Sequence, residues 1–73
     1  MIDELWHSER SDDFAFFARN EHYDQWRGFL EPDSALVWTI DASSHFEAMR
    51  ARNEYLGWGP YVPEPDWQDI VYP

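Results

Sequence analysis

The chain has 73 residues and no cysteine, so it makes one domain with neither a disulfide nor a thiolate metal site to reinforce its core. Fifteen carboxylates stand against five arginines and no lysine, a net charge of −10. That balance excludes a basic groove for nucleic acid or an anionic membrane, and the missing lysine excludes Schiff-base chemistry.

Residues 1–24 carry −5, residues 25–56 carry −2 and residues 57–73 carry −3, so the two ends hold most of the charge. Such a chain is attracted to basic surfaces, although charge of this kind also keeps an aromatic-rich chain in solution. A domain this small buries only about 60% of the surface its unfolded chain exposes. Reinforcement must come from the aromatic residues, 19% of the chain, each of which can bury roughly 150–250 Å². The start, Met1-Ile2-Asp3-Glu4, lacks a basic n-region and an apolar run, and nothing approaches a membrane span. The expectation is a cytoplasmic protein with no signal peptide.

In chain order, residues 3–9, "DELWHSE", read as a possible strand. Ser11-Asp12-Asp13 resembles a helix start, with serine as cap and two aspartates at the positive end of the dipole. A helix over 12–20 would put Phe14, Phe17 and Ala18 on one face and point Phe16 away, but the short apolar run fits a strand equally well. Gln25–Leu30 reads as the first arm of a hairpin, weakened by Gly28. Glu31-Pro32-Asp33-Ser34 supplies a turn, and the β-branched run Ala35–Ile40 is the clearest strand.

Ser44-His45-Phe46-Glu47 has the spacing of a capping box, which predicts a helix from His45 to Leu56, ended by Gly57 in the left-handed conformation. On that helix Glu47, Arg50 and Glu54 share one side, and Phe46, Ala48, Met49, Tyr55 and Leu56 spread over the other. Arg52 falls among the apolar residues, where its stem is expected to lie on the core with the guanidinium in water, an ion pair with a carboxylate being the alternative. Beyond it, residues 57–73 hold two glycines, four prolines, two tryptophans and two tyrosines without a further helix. An extended, aromatic tail is expected, with Trp58 and Tyr61 folding back as a cover and Trp67–Tyr72 covering the core or meeting a partner.

The stretch "WTIDASSHFEAMRARNEYLGWGPYVP", residues 38–63, resembles a pattern of small uncharacterised bacterial and phage proteins. That pattern is a strand, Ala-x-Ser, a helix bearing Glu-Ala, and Gly-Trp-x-Pro-Tyr. The resemblance covers about a third of the chain, marks a fold, and implies no activity and no catalytic residue.

Chemistry-bearing constellations are few. His7, His22 and His45 form no i,i+4 pair, and "NEHYD" places Glu21, His22 and Asp24 together without a second cluster to complete a metal site. Ser8, His7 and Asp12 assemble a triad on paper, without the glycine-flanked elbow that presents a nucleophile. No catalytic, cofactor-binding or metal-binding residue is therefore expected. The expectation is an α+β fold, with a small antiparallel sheet or hairpin packed against two helices. The function expected is that of a non-enzymatic inhibitor or adaptor that meets a basic surface of a larger protein without touching nucleic acid or membrane itself. Nucleic-acid mimicry of the anti-CRISPR or anti-restriction type is one form of it, an antitoxin-like accessory protein the alternative, and a small enzyme or metal-binding domain comes third. Its candidate partner-binding residues are Asp12, Asp13, Phe16, Glu64, Asp66, Trp67, Asp69 and Tyr72.

Overall fold

The computed structural model describes residues 1–63 and 71–72. Strand β1 (Ile2–Ser8) is followed by β2 (Asp13–Ala18), a short helix α1 (Tyr23–Gly28), β3 (Ala35–Asp41) and a longer helix α2 (His45–Leu56). The three strands make one antiparallel sheet in the order β2-β1-β3, with the first strand in the centre. The architecture is α+β, and its two helices lie against opposite faces of the sheet, as the side-chain contacts below establish.

Alternation along β1 explains the two faces, because successive side chains on a strand point to opposite sides. Leu5, fully buried, pairs with Phe16 on β2 and Trp38 on β3. These residues face α2: Trp38 stacks on Tyr55 with ring centroids 4.6 Å apart and planes 4° from parallel, and Phe16 lies 6.4 Å from Trp38. Ala48, also fully buried, lets the helix approach closely. On the other face Glu4, Trp6 and Phe17 meet α1. Tyr23 packs on Phe17 and donates its hydroxyl to Glu4 Oε1 at 2.8 Å, and the Arg27 guanidinium lies 5.2 Å from the Trp6 ring centre.

Within the segment 12–20, Asp13–Ala18 is thus a strand, and no helix forms there. With both faces of the sheet covered, alternate residues on β2 are all free to be apolar, and the result is a continuous run whose period cannot reveal its conformation. Phe16, which a helix would point away, sits at the centre of the α2 face. Asp12 is not a helical residue either: its φ of 56° turns the chain between β1 and β2.

The segment Gln25–Leu30 is not a hairpin arm. Among the described residues β3 pairs only with β1, from the start of the chain, and the segment before it does not add to its other side. Left without a partner strand, Tyr23–Gly28 coils, with Asp24 in its first turn and Arg27 in its last complementing the helix dipole. Between Leu5 and Trp6 the β1–β3 register slips: Leu5 opposes Trp38 while Trp6 opposes Leu36, leaving Val37 as an extra residue.

Helix α2 has the predicted bounds. Ser44 Oγ accepts from the Glu47 amide at 3.1 Å, and Gly57 ends the helix with φ 72°. The reciprocal half of the box differs by one residue, since Glu47 Oε2 accepts from the Ser43 amide at 3.0 Å and from the Ser43 hydroxyl rather than from Ser44. These bonds hold the Glu47 carboxyl below its usual range. No helix among the described residues is long and apolar enough to cross a membrane.

Candidate functional site

Two regions concentrate chemistry. The first is the β1–β2 turn. Glu9, Asp12 and Asp13 are exposed there, and Glu31 and Asp33 approach from the loop before β3. Asp33 fastens the turn: Oδ1 accepts from the Ser8 hydroxyl at 2.6 Å and Oδ2 from the Arg10 amide at 2.9 Å, bonds that lower its carboxyl below the usual range. His7 Nε2 lies 3.0 Å from Asp12 Oδ1, and its ring stacks on Phe14 at 4.5 Å. Phe14 in turn meets the edge of Trp58 at 5.8 Å, and the two rings remain 40% and 55% exposed. Carboxylates and accessible aromatic surface therefore share one end of the molecule.

The His7–Asp12 contact does not extend to a nucleophile. Ser8 is the next residue on the strand, so its side chain leaves on the opposite face and donates to Asp33. Glu21 and His22 lie 3.7 Å apart, and no group of three His, Cys, Asp or Glu among the described residues could hold a metal ion.

The second region is a cavity of about 450 Å³ beside β2, lined by aromatic residues from three directions: Phe16 and Phe17 from the strand, Trp26 and Phe29 from α1 and its end, His45 and Tyr72 from the far side. Asp3 also lines it. This residue is only 3% exposed, and its Oδ2 has no hydrogen-bond partner among the described residues. Burial raises the Asp3 carboxyl above its usual range, and the nearby His45 and amino terminus offset only part of that rise. Its neighbour Glu4 is equally buried yet fully served, by Arg19 Nε at 2.5 Å, Tyr23 at 2.8 Å and Trp6 Nε1 at 2.9 Å. Burial pushes the Glu4 carboxyl up, but those bonds and the Arg19 charge outweigh it and hold the group below its usual range.

The arginines are spent largely on the fold itself. Arg19 serves Glu4, Arg27 covers Trp6 and Tyr23, and Arg52 lies 5.6 Å from the Phe16 ring centre and 5.2 Å from that of Trp58. Arg52 is partly exposed and meets no carboxylate among the described residues, so the ion-pair alternative is not seen. Its guanidinium rests on two aromatic rings and donates to Asn53 Oδ1 at 2.8 Å.

Of the residues expected to meet a partner, Asp12 and Asp13 come together at the turn, and Phe16 and Tyr72 come together in the cavity wall. Glu64, Asp66, Trp67 and Asp69 lie outside the described residues. The tail folds back through Tyr61 on Phe46 at 5.9 Å and through the Tyr72 amide, which donates to Ser43 O at 2.9 Å. Trp58, expected as a cover, does touch Phe14 but keeps more than half its surface in solvent. Sequence reasoning missed Asp3, Trp26 and Phe29. The alternation Asp3, Leu5, His7 is the signal that would have placed Asp3 on a buried face. Compared with known protein families, curated proteins and solved structures, the chain matches none.

Proposed function

We propose that this protein is a non-enzymatic binding protein that docks on a basic surface of a larger protein, as an inhibitor or adaptor. The observation that carries the reading is the acidic surface at the β1–β2 turn. Glu9, Asp12, Asp13 and Asp33 are exposed there, on a chain of net charge −10 that also exposes Glu21, Asp24, Glu31, Asp41 and Glu54. Such a surface steers association with cationic surfaces. Phe14 and Trp58 beside the acidic turn supply the aromatic contact area that charge alone lacks.

Mimicry of a nucleic acid is the more specific form of this reading. The apolar cavity supports the accessory form instead, because a phosphate mimic has no use for an aromatic pocket. Kinetics with the captured partner test both. Association should slow as salt rises, since the screening length is about 8 Å near physiological ionic strength. Asp12→Asn with Asp13→Asn should lower the on-rate more than it raises the off-rate. DNA or RNA that competes for the partner identifies mimicry, and indifference to both identifies the accessory form. Salt-independent affinity together with full tolerance of the double substitution refutes the basic-surface reading.

A further inference from the structure

We propose that the cavity beside β2 is a receptor for an organic cation, an alkylammonium or guanidinium group, held at the Asp3 wall between aromatic rings. In its form as the docking point for a partner's lysine or arginine, the inference rests on the basic-surface reading above.

Three observations converge. Asp3 is 97% withdrawn from solvent, lines the cavity and keeps an oxygen without a hydrogen-bond donor among the described residues. A buried polar group in that condition is costly, and a neutral apolar occupant would only deepen the cost by excluding water. A cationic donor removes it. Much of the remaining wall is aromatic, with Phe16, Phe17, Trp26 and Phe29 supplying π-systems that attract a desolvated cation, beside His45, Asn20 and smaller apolar residues. The same fold already seats guanidinium groups on rings at Trp6, Phe16 and Trp58, so its aromatic residues are used this way. The volume, about 450 Å³, suits a small organic group and exceeds what one metal ion or water needs.

Access for a peptide is also built in. Among the described residues strand β2 is an edge strand, paired only with β1. The Arg19 amide donates to Ile2 O at 2.8 Å, which makes that opposing pair a hydrogen-bonded one. Alternation then makes Glu4–Phe17 and Trp6–Ala15 bonded pairs, and turns the backbone groups of Phe14, Phe16 and Ala18 away from β1. An extended segment added there would run along the cavity and could place one side chain in it.

The test uses the full chain labelled with ¹⁵N, titrated with n-butylammonium, n-butylguanidinium and, as neutral control, n-butanol. Amide shifts at Asp3, Phe16, Phe17, Ala18 and Asn20 report occupancy. Both cations should shift these resonances where n-butanol at equal concentration does not. Asp3→Asn should weaken the cations by roughly tenfold or more, the usual scale for losing a charged hydrogen-bond partner. Ligand-free Asp3→Asn should melt no lower than the parent, which separates a binding role from a structural one. Trp26→Leu, at a position 44% exposed, should also weaken binding, and it carries the test if Asp3→Asn fails to fold. A blocked lysine pentapeptide with β-branched flanks, compared with its norleucine counterpart, separates the sources. Tighter binding of the lysine peptide than of n-butylammonium assigns the site to a partner's side chain, and parity assigns it to a free cation. Equal shifts from n-butanol, no shifts from either cation, or undiminished affinity in both variants overturns the proposal. Because no partner is present, failure here leaves the salt-dependence result untouched, and the reverse holds too.

Discussion

Glu4→Gln probes a buried side chain that accepts three hydrogen bonds. Trp6 Nε1 and the Tyr23 hydroxyl both donate to Oε1, and Arg19 Nε donates to Oε2. Glutamine offers one acceptor oxygen and one donor nitrogen in nearly the same volume. If its oxygen keeps Trp6 and Tyr23, its amide hydrogens confront the Arg19 guanidinium, and if it flips, it keeps Arg19 and loses the other two. Breaking a buried ion pair costs about 3–5 kcal/mol when a charge is left stranded in the interior. Here the survivor is Arg19, whose side chain is 47% exposed and can hydrate, so the smaller scale of a lost charged hydrogen bond applies, about 1.5–3 kcal/mol. Against a total stability of roughly 4–10 kcal/mol for this length, that is a severe loss. With a urea slope near 1 kcal/mol per molar, the midpoint at pH 7 should fall by about 1.5–3 M. The pH dependence follows from the lowered Glu4 carboxyl. A depressed folded value contributes stability that is fully present above the unfolded value of about 4.3 and is lost as pH falls through the folded one. The parent and Glu4→Gln should therefore converge at low pH. A midpoint shift below about 0.5 M at pH 7, or a shift of equal size at pH 7 and pH 2, refutes the account.

Ser44→Ala removes the acceptor for the Glu47 amide and should lower stability by about 0.5–2 kcal/mol, and an unchanged denaturant midpoint would show that Ser44 is not the cap. Arg52→Met keeps the apolar stem but removes the charge from the Phe16 and Trp58 rings, at about 0.5–2 kcal/mol; no change in midpoint or in tryptophan emission would show those contacts to be idle.

Legibility in the sequence tracked how local each cause was. Helix α2 was readable because its start and stop are written within it, at Ser44, Glu47 and Gly57. Strand β3 was readable from its β-branched run. Strand β2 was ambiguous because an edge strand covered on both faces loses the alternation that identifies strands. Helix α1 is not legible in the sequence because its reasons are remote: Tyr23 bonds to Glu4, nineteen positions away on β1. The candidate site divided the same way. Asp12 and Asp13 were adjacent in sequence and could be paired on paper. The cavity draws its wall from both ends of the chain, so only the β1–β2 register and the return of Tyr72 to Ser43 bring Asp3, Phe16 and Tyr72 together.

The extra residue at Val37 bears on crowding in a cell. Strand β3 is an outer strand with Leu36 and Val37 each over 40% exposed, a template on which other copies of the chain would otherwise stack. A slipped register twists that margin and interrupts the even ladder that an incoming strand must match. Asp41 and the acidic surface add repulsion between like copies. The irregular strand thus disfavours edge-to-edge growth of the molecule through that margin.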